Sequence, residues 1–150
     1  MTSTDAMNLA GTVAADGSIA LGSDQGTVSV GGDISGARVT INAEQGITLA
    51  GAESTSGDVD ITGSTISAGG SIASANDVNM TSTNAMDLAG TVAADGLISL
   101  ESHQSSVSVG GDISGASVAI LAPDTISLGG ALATGPSIEV TSAGGSVSST

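Results

Sequence analysis

Residues 27–51 read TVSVGGDISGARVTINAEQGITLAG, and this stretch decides the fold. Val28 and Val30 flank Ser29, Val39 and Ile41 flank Thr40, and Ile47 and Leu49 flank Thr48. Alternation with period two sends successive side chains to opposite faces of an extended strand, and β-branched residues suit such a surface. Gly31-Gly32 follows the first run, Ile34 stands between the first and second, and at Gly46 the pattern begins again. One unit is therefore a strand, a glycine corner, a short middle strand, a third strand and a return corner.

The same unit recurs along the whole chain. AMNLAG begins at Ala6, TVSVGG at Thr27, GITLAG at Gly46, TISAGG at Thr65 and AMDLAG at Ala85, at spacings of 21, 19, 19 and 20 residues that sum to 79. SVSVGG from Ser106 and TISLGG from Thr125 continue the series. Over the larger period, Met1–Ile41 aligns without gaps on Met80–Ile120 with 31 of 41 positions identical. Residues 1–150 thus form one segment: two copies of a 79-residue, four-coil unit starting at Met1 and Met80, the second incomplete. Such repetition is the mark of a solenoid.

The apolar columns follow directly. The first strand of each coil points inward pairs such as Met7 and Leu9, Val28 and Val30, or Val107 and Val109; the third does so with Ile19 and Leu21, Val39 and Ile41, or Val59 and Ile61. The middle strand contributes one residue per coil: Val13, Ile34, Ile72, Val92, Ile113 and Leu132. A helical solenoid would need period 3.6 and good helix formers, whereas Gly, Ser, Thr and β-branched residues dominate here. The expected fold is all-β: a parallel β-helix of seven to eight coils, 19–21 residues each, with a triangular cross-section. At roughly 4.8 Å per coil it would be about 35 Å long. The Gly-Gly pairs Gly31-Gly32, Gly69-Gly70 and Gly129-Gly130 fall at corners, where positive φ costs glycine little.

Composition narrows the functions. There is no Phe, Trp, Tyr or Cys, there are 23 Gly, and 39% of residues are apolar, too many for a disordered chain. A narrow core accounts for the missing aromatics. One Arg, no Lys and a net charge of −14 remove the cations that nucleic acid or an anionic membrane surface requires. The first residues, MTSTDAMNLA, lack the basic and apolar regions of a signal peptide. The segment is expected to belong to a longer chain.

The runs GDVDITGSTISAGGSIASANDVNM and GGDISGARVTINAEQGITLAGA resemble the repeats of filamentous-haemagglutinin-type exoproteins, a family that includes two-partner-secretion adhesins and the stalks of contact-dependent inhibition toxins. The likeness spans essentially the whole chain, and rests on coil length, Val/Ile/Leu alternating with Ser/Thr/Asp, and Gly-Gly and Gly-Asp corners. It implies a right-handed parallel β-helix (β-solenoid) that is secreted to the bacterial cell surface as a non-catalytic stalk or spacer. Its partners would be the flanking coils of the same exoprotein, with a receptor on a host or neighbouring cell engaged elsewhere. The secretion-directing domain and adhesive or toxic tip of that family have no counterpart in these residues.

Two alternatives come from the residues themselves. Unpaired strands at solenoid ends would support end-to-end copies in a self-assembling filament. The Ser/Thr face carrying Thr27 and Ser29, Thr65 and Ser67, and Thr125 and Ser127 suggests ice or another flat surface as ligand, although Ala6 with Asn8, Gly46 with Thr48 and Ala85 with Asp87 interrupt it.

Candidate chemistry is sparse. Sugar-cleaving β-helices need converging carboxylates with cationic or aromatic subsites. The lone His103 aligns with Asp24 in the first unit and reads as a turn residue, so no catalytic residue is assigned and an enzyme is not expected. Asp58, Asp60 and Asp77 share an outward face on adjacent coils and are the candidate ligands for calcium, the only cofactor considered. GGDISGARV does not match the calcium-binding nonapeptide, so a solvated acidic face is the expected reading. Arg38 should pair with Asp58. Glu53 is the structural exception: counted from the corner, it falls in the inward middle column, so the backbone from Ala52 to Ser56 is expected to bulge and release it to solvent.

Overall fold

Stacked parallel strands and no helix make up the computed structural model, which describes residues 1–130 and 132–149 as a parallel β-solenoid of about seven turns. Each strand pairs with its equivalents one coil away: Met86–Leu88 lies between Ile66–Ala68 and Val107–Val109, and Val78–Ser82 between Val59–Gly63 and Leu97–Ser102. Period two makes this stacking possible, because every strand then offers one column set to the tube and another to water.

The core is a set of like-on-like ladders. Ile19, Val39, Val59, Val78, Ile98 and Val118 stack in register along the third face, and all are buried. On the first face Val28, Ile47, Ile66, Met86, Val107 and Ile126 do the same. Partly exposed inward residues belong to the terminal coils: Leu9, Val13 and Val140 pack against the core without being covered by it. The side chain of Leu132, assigned inward from the sequence, lies outside the described residues; its backbone pairs with Ile113.

Two sequence expectations are corrected. Glu53 does not occupy the inward middle column. Ala52 stands there between Ile34 and Ile72, 3% exposed, and Gly46–Ser54 is one continuous strand. The irregularity lies one coil below, where register shifts between Val30 and Asp33, so that Gly31 and Gly32 oppose Ala50 alone. The third coil's corner is one residue shorter, which placed the sequence-based count one position out. Glu53 points to solvent from a regular strand, and no bulge or melted segment from Ala52 is needed.

The second correction concerns the glycine corners. No glycine among the described residues has positive φ. What the corners demand is the absence of a side chain. A Cβ on Gly32 would lie 2.6 Å from the Thr12 nitrogen, and one on Gly111 would lie 2.7 Å from the Gly90 carbonyl carbon. The second glycine of each pair sits against the backbone of the coil beneath, and only hydrogen fits between them.

Candidate functional site

Three outward faces and two corners carry all the polar chemistry. On the third face the column Arg38, Asp58, Asp77 continues the register that pairs Val39 with Val59 and Val59 with Val78. Arg38 Nη2 donates to Asp58 Oδ2, with the two side chains 50% and 13% exposed. Asp58 Oδ1 accepts from Asn76 Nδ2 at 2.5 Å and from the Asp77 amide at 3.4 Å. Asp77 Oδ1 accepts from the Leu97 amide at 2.7 Å, and Asp60 Oδ1 from Asn79 Nδ2 at 3.0 Å. The acidic column is therefore a hydrogen-bonded brace across four coils.

The three candidate calcium ligands are each engaged by protein donors. Asp58, Asp60 and Asp77 spend their oxygens on an arginine, two asparagine amides and two backbone N–H groups rather than on one another. Among the described residues, no three His, Cys, Asp or Glu side chains converge in a way that could hold a metal ion. His103 is exposed, with Nε2 3.2 Å from Glu101 Oε1, and among the described residues no serine hydroxyl hydrogen-bonds to it. The first face carries the outward column Ser29, Thr48, Ser67, Asp87, Ser108 and Ser127, in register but with Thr only once and a carboxylate in the middle.

The middle face is different. Its outward column is Ala14, Ser35, Glu53, Ala73, Ala93 and Ser114, five small residues and one long one. Shallow hollows of about 440 Å³ and about 260 Å³ lie on either side of Glu53, the first bordered by Thr55, Ala75 and Asp95 and the second by Asp33 and Ser71. A third, about 490 Å³, is bordered by Asp16. The carboxylates of Asp16, Asp33, Glu53 and Asp95 are exposed and engage no hydrogen bond or ion pair among the described residues.

Sequence reasoning missed a set of buried serines. Ser23, Ser54, Ser74, Ser82 and Ser102 point inward at the corners flanking the third face. Ser54 Oγ donates to the Ala37 carbonyl of the coil beneath at 2.7 Å and accepts from the Gly57 amide at 3.1 Å. Ser102 Oγ repeats the device with the Asn84 carbonyl at 2.7 Å and the Ser105 amide at 3.2 Å. The hydroxyls of Ser23, Ser54, Ser74 and Ser102 tie their own turn to the turn below, that of Ser82 bonds the Asn84 carbonyl of its own turn, and no buried side-chain polar atom among the described residues lacks a partner. The signal was present: alternation continues one step past Leu21, Ile41, Ile61, Met80, Leu100 and Ile120, onto Ser23, Ala43, Gly63, Ser82, Ser102 and Ala122, all small. Ser102→Ala should lower stability by about 1–2 kcal/mol by stranding the Ser105 amide, while the Asn84 carbonyl keeps the Ser82 hydroxyl. Ser108→Ala, on the outer surface, should stay within about 0.5 kcal/mol of the parent in chemical denaturation.

No family model matches the sequence, and the chain matches no curated protein and no solved structure at a significant level.

Proposed function

We propose that the chain is a non-catalytic structural spacer within a large bacterial surface exoprotein, secreted to the cell exterior. One observation carries this reading: the apolar interior of Met1–Ile41 is repeated in Met80–Ile120. Every inward Met, Leu, Ile and Val from Met7 to Ile41, including Met7, Leu9, Ile19, Leu21, Val28 and Ile34, recurs unchanged 79 positions later. A rod built this way lengthens by whole four-coil units, roughly 19 Å each, without redesign of its core. Reach, the property a stalk must supply, is then set by the number of units. The likeness to haemagglutinin-type exoprotein repeats supports the extracellular placement. The polar groups described above support the absence of catalysis, since they serve to hold coils together or stand apart along the surface.

The test uses the surface protein that carries this segment. Exchanging residues 1–150 for an unrelated β-solenoid of equal length should leave adhesion to the target cell unchanged, because a spacer contributes length alone. Insertion of a further 79-residue unit should move the bound target outward by roughly 19 Å. Loss of adhesion in the equal-length exchange would overturn the spacer reading.

A further inference from the structure

We infer that the Asp-Gly corners are self-modification sites, whose conversion to isoaspartate is controlled by a hydrogen bond to the coil beneath. The chain holds two Asp-Gly pairs, Asp16-Gly17 and Asp95-Gly96, and both end the same run, TVAADG, from Thr12 and from Thr91. Both carboxylates are exposed. Glycine favours this chemistry, because without a side chain its amide nitrogen can swing towards the preceding carboxyl carbon through backbone angles closed to other residues. Sequence therefore gives the two sites the same reactivity, and their surroundings separate them. The Gly96 N–H donates to the Asn76 carbonyl of the coil beneath at 2.8 Å, and the Asp95 N–H donates to the Ser74 carbonyl at 3.2 Å. A methyl group on Gly96 would strike Asp77 Oδ1, so that corner is tightly filled. A methyl group on Gly17 would meet nothing within 4 Å, and among the described residues the Gly17 N–H donates to no acceptor. The nitrogen that must react is thus held at Asp95 and free at Asp16.

The reaction needs only water. The Gly17 amide nitrogen attacks the side-chain carboxyl carbon of protonated Asp16 and forms a C–N bond. The carboxyl hydroxyl leaves with the amide proton as water, and a succinimide ring closes. Water then adds to the ring. Addition at the main-chain carbonyl breaks the original peptide bond and gives isoaspartate, in which the chain runs through the side-chain carbonyl; addition at the side-chain carbonyl restores aspartate. The water lost is regained, so mass is conserved and a carboxylate remains. The product lengthens the main chain by a methylene at the corner between the middle and third faces.

The experiment incubates the folded 150-residue chain at neutral pH, then denatures it and cleaves it with trypsin. Arg38 is the only cleavage site, so Asp16 and Asp95 fall in separate fragments, whose isoaspartate is located by fragmentation mass spectrometry. Isoaspartate at Asp16 should form roughly tenfold faster than at Asp95, where the Gly96 nitrogen must first give up its hydrogen bond. In denaturant the two sites should react at similar rates, as their shared sequence requires. Asp16→Glu should abolish the signal at that position, because the longer side chain closes the ring far less readily. Fusing a further copy of residues 1–79 ahead of Met1 lays a coil under Gly17 as Asn76 lies under Gly96, and should slow Asp16 to the Asp95 rate. Equal rates at the two sites in the folded chain would overturn the assignment. So would a folded chain unreactive at Asp16 while the denatured one reacts, or a fused chain that keeps the faster rate.

Discussion

Val59→Asp should destabilise the solenoid by about 3–5 kcal/mol, because it places a carboxylate in the tube with no cation to meet it. Val59 is fully buried, and its ladder neighbours are Val39 and Val78. The loss should be visible as a lowered transition in far-UV circular dichroism. It should also depend on pH. Burial raises the folded-state pKa of the new Asp above its unfolded value near 3.9, so the penalty is complete above the folded pKa and shrinks as pH falls towards the unfolded one. Val59→Asn should be destabilising without that recovery. Thr48→Asp, on the exposed outward column of the first face, should cost no more than about 0.5 kcal/mol. If Val59→Asp melted like the parent, the inward assignment of the third-face column would be wrong, and with it every assignment of the same parity.

The first and third strands were legible because their signal is local. In Val28-Ser29-Val30 or Val59-Asp60-Ile61 the chain itself states which side is dry, and stacking in register follows once the coil length is known. The middle strand was less legible, for a reason Glu53 makes clear. It contributes one inward residue per coil, so its phase must be carried across the glycine corner, and corners change length. Thr27 to Gly46 and Gly46 to Thr65 are both 19 residues, yet the first spends two residues where the second spends one, Gly31-Gly32 against Ala50. Total spacing hides that exchange. Ala52 and Glu53 are adjacent, so an error of one position swaps a buried methyl for a carboxylate. The Arg38–Asp58 contact needed only third-strand register, whereas the dispersal of Asp58, Asp60 and Asp77 among amide donors depended on Asn76, Asn79 and the Leu97 amide, which no charge pattern reveals.

The glycines separate two explanations that sequence leaves merged, and substitution tells them apart. Had the corners required positive φ, both members of a Gly-Gly pair would resist alanine for conformational reasons. With no positive φ present, resistance depends only on what a methyl group would strike. At Gly69 the nearest atom is the Leu49 carbonyl oxygen at 3.9 Å, an ordinary contact. At Gly111 the new methyl would meet the Gly90 carbonyl carbon and oxygen at 2.7 Å and the Thr91 nitrogen at 2.8 Å, all main-chain atoms fixed by their own ladders. Relief there means parting two coils along a face where each strand depends on the other for its hydrogen bonds. Gly111→Ala should therefore cost about 2–4 kcal/mol, in the range of overpacked and broken sites. Gly69→Ala should be neutral or stabilising by about 0.4–1 kcal/mol, since alanine restricts the unfolded chain at no native-state expense. Thermal and chemical unfolding of the two variants side by side decides the matter. Comparable losses at both positions would restore the conformational explanation, and an unharmed Gly111→Ala would mean the coils stack less closely at this corner than their backbone contacts imply.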